Sequence, residues 1–482
     1  MNLRTDIALP GRLQVVALVL ALTGCAQYPS LGQLPLMKDI NSYKAEKSFN
    51  AASVQWPVER WWQVYGDKQL DSLIDEALQG SPNLAAASAR LRRAEAVGQI
   101  TGAALLPQLS ANGSATEQKQ SYNHLTPRAM LPDGWTDYGR ATLDFSWEID
   151  FWGKNRAALA AATSELEASR AEMAQARLAL TAAVATNYTE LARLFAARDT
   201  AARSVEVRSK TAALFAERFA NGLETRGSLR EAEARRAGAE GELLLVDEQI
   251  GLQRNRLAAL LGAGPDRGLT IERPTMNLQR QIGLPKELAV NLLGRRPDVV
   301  AARLRAEAQL KRIDQKKAEF YPNVNLAGFI GWQSLGLDML TKSGSFAGSI
   351  GPAISLPIFT GGRLRGELRG TAAAYDEAVA NYNGTVTQAL QDVADTALSQ
   401  KALAGRLAKG EEAVAAATEA HRVARNRYEG GLSSYLEVLS AEDVLLNSLR
   451  SLTDLQSRSF SLDVALIRAL GGGYREAREA NN

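Results

Sequence analysis

The chain has 482 residues, of which 46% are hydrophobic and 23% charged, with a formal net charge of +3. That is ample for a large core and too balanced for a nucleic-acid binder, which concentrates basic side chains on one face. One cysteine, Cys25, and two histidines, His124 and His421, allow no disulfide within the chain, no His/Cys metal cluster and no histidine-paired nucleophile. No P-loop or dinucleotide fingerprint is present, so any energy must come from another protein. The sequence therefore offers no catalytic residue, no metal site and no cofactor beyond what Cys25 can carry. No stretch approaches the roughly 18 consecutive apolar residues of a membrane-spanning helix.

Taken in order, Leu13 to Leu22 follows Arg4 and Arg12 and is too short to span a bilayer, which predicts a signal peptide. It ends in Leu22-Thr23-Gly24-Cys25, which resembles the bacterial lipobox. The resemblance implies removal of residues 1–24 and lipidation of Cys25. Ala26, rather than an aspartate, points to the outer membrane. Residues 25–60 form a polar arm. Trp61, Trp62, Tyr65, Leu70, Leu73, Ile74, Ala77 and Leu78 then recur at spacings of three and four, an amphipathic helix that stops at Gly80. Ser81-Pro82 starts the next helix, which Pro107 ends.

From Arg140 to Phe151 apolar Ala141, Leu143, Phe145, Trp147, Ile149 and Phe151 alternate with polar residues. This is a strand with one wet and one apolar face. At roughly 3.3 Å per residue it runs about 40 Å, enough to cross a tilted path through a roughly 30 Å hydrocarbon layer. A sandwich strand would also alternate, but here a proline- and glycine-free run from Arg156 to Ala220 follows. The full set of predicted strands is about 108–118, 138–151, 323–334 and 346–359. Four strands cannot close a barrel, and an open edge in lipid leaves backbone groups unpaired at a cost of several kcal/mol each. Single-chain barrels begin at about eight strands. The chain is expected to be an oligomer, two copies giving eight strands and three giving twelve; spacing alone leaves that choice open.

The chain also repeats itself. A first repeat, 61–263, and a second, 286–471, flank a linker at 264–285, and a tail covers 472–482. Pro82 to Pro107 matches Pro297 to Pro322, and Phe151-Trp152-Gly153 matches Phe359-Thr360-Gly361. Leu260-Leu261-Gly262 matches Ala469-Leu470-Gly471. Each half reads helix, strand, loop, strand, very long helix (154–220 and 362–429), turn, and shorter helix (224–261 and 432–470). At roughly 1.5 Å per residue the second long helix runs about 100 Å. From Tyr375 to Tyr428 it carries alternating spacings of four and three, a coiled-coil seam that includes His421 as a packed residue. Two hairpins per chain, each with one long arm, would build a hollow helical cylinder continuous with the barrel.

At this point the chain resembles outer-membrane factors of the TolC type, in their NodT-like lipoprotein branch. The likeness rests on the Leu22-to-Cys25 lipobox and on Trp61-Trp62-x-x-Tyr65-Gly66-Asp67-x-x-Leu70-x-x-Leu73-Ile74. It rests also on Arg295-Arg296-Pro297-Asp298-Val299 and on Arg427-Tyr428-x-x-Gly431-Leu432. It implies a mixed α and β fold: a trimeric outer-membrane β-barrel, four strands per chain and twelve in total, continued by a periplasmic α-helical barrel. It further implies a passive exit duct that meets a periplasmic adaptor protein and an inner-membrane transporter of the RND type. Carried onto this sequence, adaptor docking falls at the helix tips, on Arg218, Phe219, Gly222, Leu223, Arg427, Tyr428, Gly431 and Leu432. The periplasmic gate falls on Tyr435, Leu436 and Ser440. Ser440 stands where relatives place an acid, and Glu437, Glu442 and Asp443 are the neighbours that could supply the charge; a solvated helix face is the other reading of all three. A lipid-anchored periplasmic adaptor is the runner-up, opposed by two hairpins and duplicated membrane-length strands.

Overall fold

The computed structural model describes residues 28–44, 47–49, 53–123, 126–276, 284–285 and 288–476. The expected signal peptide, Cys25 and His124 lie outside the described residues. In chain order the helices are α1 (Lys68–Gly80), α2 (Pro82–Ala103), α3 (Lys154–Ala220), α4 (Arg226–Leu260), α5 (Pro265–Leu269), α6 (Leu288–Arg295), α7 (Pro297–Ala318), α8 (Arg363–Glu429) and α9 (Tyr435–Ala469). The long strands are β1 (Gln108–Gln118), β2 (Thr136–Ile149), β3 (Asn323–Leu335) and β4 (Phe346–Ser355). The chain forms two compact units, one holding Arg92–Ala168 and Ala302–Asn381 with the arm up to Met37, the other Lys38–Leu91, Ser169–Ala301 and Tyr382–Asn482. Each half of the sequence is shared between both units, because its long helix, α3 or α8, runs through both.

The first unit is built on one antiparallel sheet in the order β1-β2-β3-β4. Its register puts Ala111, Leu143, Ile330 and Gly348 side by side, and Gly113, Ala141, Trp332 and Phe346 beside them. The apolar residues of β2 thus share one face with Ile330, Trp332 and Phe346, while Phe329 falls on the other face, under the Arg140 guanidinium at 5.2 Å. On the apolar face Leu109, Leu143, Ile330, Trp332, Phe346, Ile350 and Ile354 are exposed, with none of the unit's described residues laid over them. A sandwich would cover such a face; lipid is the solvent that suits it. The opposite face carries Asn112, Arg140, Thr142 and Asp144, tied together by hydrogen bonds from Asn112 (2.8 Å), Thr142 (2.8 Å) and Arg140 (3.2 Å) to Asp144. Gly331 is required where β2 and β3 meet, since a Cβ there would stand 2.2 Å from the Ala141 carbonyl oxygen.

Two strands end earlier than the sequence suggests. Strand β2 stops at Ile149 rather than Phe151 because Asp150 turns to cap α3, accepting from the backbone N–H groups of Asn155 (3.1 Å) and Arg156 (2.9 Å). Trp152 then stacks on Tyr321 at 4.7 Å and donates to the Pro322 carbonyl. Strand β4 stops at Ser355 rather than residue 359, just before Pro357. In the same unit the N-terminal arm lays Leu31, Leu34 and Met37 on a core of Ala306, Ile313, Leu368, Ala372, Tyr375 and Val379.

The second unit has a core of Trp61, Trp62, Tyr65, Leu70, Leu73 and Ile74 packed against Val184, Tyr188, Leu191, Leu257 and Ile467. Asp67 organises its start: Oδ1 accepts from the N–H groups of Gln69 and Leu70, capping α1, while Oδ2 accepts from the Tyr188 hydroxyl (2.9 Å) and Thr275 N–H (2.7 Å). Arg296, almost fully buried, is held by Asp298 (2.6 Å) and by Asp392 of α8 (2.9 Å). Along α8 the heptad positions Tyr382, Val386, Ala389, Val393, Thr396, Gln400 and Leu403 are buried, and the positions between them are exposed or half-buried, apart from Leu390. Beyond Leu403 the seam thins, with Leu407, Gly410, Val414, His421 and Ala424 only half-buried.

Candidate docking and gating site

The two hairpin turns of the second unit close in the same way. After α3, Gly222 adopts φ +71° and the Leu223 N–H donates to the Arg218 carbonyl at 2.8 Å. After α8, Gly431 adopts φ +72° and the Leu432 N–H donates to the Arg427 carbonyl, also at 2.8 Å. Both are helix C-caps that need a residue tolerant of the left-handed region. Thr225 then caps α4 through Ser228 N–H, and Ser434 precedes α9. Phe219, Leu223, Leu432 and Leu436 are left exposed around the turns, an unusual share of apolar surface for a hairpin end. Arg427 leans on its own turn through the Leu432 carbonyl and lies 3.7 Å from Glu437, and Ser440 is exposed.

Behind the turns, side chains join one hairpin to the other. Phe215 is buried between Tyr428 and Tyr435, at 5.7 and 5.2 Å between ring centroids. The Arg218 guanidinium lies over the Tyr428 ring at 4.7 Å. The Tyr428 hydroxyl donates to Glu224 at 2.6 Å, and the Tyr435 hydroxyl donates to Glu231. Burial, and next the Glu224 carboxylate, hold the Tyr428 hydroxyl protonated well above its usual range. The Tyr435 hydroxyl, followed by Arg235, holds Glu231 below its usual range. Eight residues after Tyr435, Asp443 accepts from Arg208 of α3 (3.0 Å) and Arg235 of α4 (2.9 Å).

The expected gate acids therefore take different places. Glu437 is exposed, Asp443 is a bridge between hairpins, and Glu442 is fully buried. Glu442 accepts from the Thr211 hydroxyl at 3.2 Å; Arg208 Nε lies 3.3 Å away without the alignment of a hydrogen bond. Burial pushes the Glu442 carboxyl above its ordinary 4.5, against the lowering effect of Thr211 and Arg208. Glu224, Glu231, Arg208, Arg235 and Phe215 were not among the sequence candidates. The signal that could have found the two glutamates is their spacing of seven, which matches the spacing of seven between Tyr428 and Tyr435. Among the described residues no group of His, Cys, Asp and Glu could hold a metal ion.

These features, a sheet with an apolar uncovered face and paired helical hairpins locked at their ends, define a membrane-inserted channel component. The chain matches the family model of the outer membrane efflux proteins over residues 73–263 and 288–472, and it belongs to that family. It is 34% identical to the multidrug resistance outer membrane protein MdtP of Escherichia coli O6:H1 over 441 residues, covering 90% of each chain. It is 35% identical over 362 residues to the fusaric acid resistance protein FusA of Burkholderia cepacia, covering 74% of this chain and 68% of that one. Its fold superposes on the crystal structure of the outer membrane protein VceC of Vibrio cholerae with a TM-score of 0.84 and 52% identity, covering 87% of this chain and 100% of that one. The protein is an outer-membrane channel, the exit duct of an efflux pump, and not an enzyme.

Proposed function

We propose that three copies of the chain share one twelve-stranded barrel, continued by a periplasmic helical tunnel. The observation that carries this is the sheet itself: four strands with an uncovered apolar face and two edges, β1 and β4, that have no strand partner among the described residues. In lipid those edges need pairing, and antiparallel β1 of one copy beside β4 of the next supplies it. The polar face, with Asn112, Arg140 and Asp144, then lines the pore. The internal duplication gives each copy two hairpins, so three copies offer six tips.

The exposed Phe219, Leu223 and Leu432 at those tips suit docking of a periplasmic adaptor, which links the duct to an inner-membrane transporter of the RND type. Arg218, Gly222, Arg427, Tyr428 and Gly431 shape the same surface. Behind it the Tyr428–Glu224, Tyr435–Glu231 and Asp443–arginine contacts act as the periplasmic gate, with Leu436 and Ser440 on the exposed side of α9. Cys25 carries a covalent lipid. Tyr28, three residues on, packs edge-on against Phe320 at 6.3 Å just before β3 begins, which suits an anchor in the inner leaflet. The cargo is small molecules, in keeping with the names of the relatives. Reconstitution of the purified protein in a planar bilayer tests the duct: a stable conductance with no added energy source supports it, and bilayers that stay sealed despite inserted protein overturn it.

A further inference from the structure

His421 is the histidine of the described residues, and histidine is the side chain whose ordinary pKa lies within the mildly acidic to neutral range. It sits in the α8 seam seven residues before Tyr428, half-buried, and faces a hollow of about 100 Å³ between the hairpins. Lys210, Thr211 and Phe215 of α3, Arg425 and Tyr428 of α8 and Val438 of α9 line the same hollow. Of the acids on these stretches, Glu206 pairs with Lys210 (2.6 Å), Glu429 with Arg425 (2.8 Å), Glu419 with Arg422 (2.6 Å), Glu224 with Tyr428, Glu442 with Thr211, and Asp443 with Arg208 and Arg235, while Glu217 of α3 is exposed. Arg218 is spread over the Tyr428 ring. No hydrogen bond or ion pair of His421 itself is present among the described residues.

We propose that His421 is a pH sensor for the contact between the two hairpins: its protonation adds a positive charge to a hollow already faced by Lys210 and Arg425 and loosens the latch at Tyr428. The proposal rests on reading these tips as the gate only for its consequence, not for its chemistry. Burial first, and Arg425 second, lower the His421 pKa from its ordinary 6.5 in the packed seam. A released His421 binds its proton at the ordinary value, so the seam is at full strength above pH 6.5 and weakens as pH falls through the lowered native value. Glu442 works the other way. Its raised pKa makes the packed state lose stability as pH rises above 4.5, so it cannot be the source of loosening on acidification.

The test is hydrogen exchange of residues 207–224 and 421–443 in the full-length protein in detergent, at pH 7.5 and 5.5, corrected for intrinsic rates. The proposal predicts faster opening at pH 5.5, by no more than about tenfold, because pH 5.5 lies one unit below the ordinary histidine value of 6.5. In H421Q the acceleration disappears or reverses slightly under Glu442. In R425Q, which removes the opposing charge without touching the histidine, it shrinks. No acceleration in the parent protein, or the same acceleration in H421Q and R425Q, overturns the proposal. Conductance recorded in parallel separates the two readings: faster exchange with unchanged conductance refutes the gate and leaves the sensor standing.

Discussion

Replacing Asp443 by asparagine keeps the side chain's size and removes the one charge shared by Arg208 and Arg235, which approach it at 3.0 and 2.9 Å from two different helices. Charge-assisted bonds contribute about 1.5–3 kcal/mol when shielded. Here Asp443 is 42% exposed and the arginines 21% and 30%, so about 0.5–1 kcal/mol for each is the reasonable figure. Their loss weakens the contact between hairpins by about 1–2 kcal/mol per chain, or roughly a 5- to 30-fold shift toward the parted state. Single-channel recording in planar bilayers at low salt reads this as longer and more frequent openings in D443N. High salt should raise the parent's openings toward the mutant's, because at about 1 M the screening length is only about 3 Å. Equal conductance of parent and D443N at low salt, with both inserted and folded, would refute the reasoning.

The neighbouring Glu442→Gln should do the opposite. Its carboxylate is fully buried and burial raises its pKa, so at neutral pH its charge costs the packed state, and the neutral amide should slow tip opening in the same recording. Arg140→Gln leaves Asp144 on the polar face without its cation at 3.2 Å; the reversal potential in a KCl gradient should move toward cation selectivity, and no movement would take Arg140 out of the pore wall. Arg296→Ala takes away the buried cation shared by Asp298 and Asp392, which are themselves 25% and 36% exposed, at a cost of about 1–3 kcal/mol. A marked fall in the thermal stability of the detergent-solubilised protein is expected, and an unchanged melting temperature would contradict it.

Much of this architecture is legible in the sequence because it is periodic. The alternation from Ala141 to Ile149 becomes a strand with all its apolar residues on one face, and the four-three spacing of α8 becomes the buried seam from Tyr375 to Leu403. Where periodicity is broken by a competing local bond, the sequence overshoots. Phe151 keeps the strand's parity, yet Asp150 has already turned to cap α3. The hairpin turns are legible from Gly222 and Gly431, whose left-handed conformation few other residues tolerate. The partners behind them are not, because they pair residues about two hundred positions apart, and the pairing depends on the rotational phase of four helices. Glu442 and Asp443 show the same limit. Successive residues on a helix point about 100° apart, so one enters the core while the other bridges two arginines, and composition alone cannot say which.

The shared barrel is the claim on which the duct depends, and its mass tests it most directly. Native mass spectrometry of the mature protein with Cys25 replaced by alanine, released from detergent, removes the lipid as a reason for membrane association. A detergent-dependent species of three chains is predicted, its β1 and β4 edges paired between copies. A monomer soluble without detergent would contradict the account, because the exposed face of Leu143, Ile330, Trp332 and Ile350 would then have to be covered by something other than lipid.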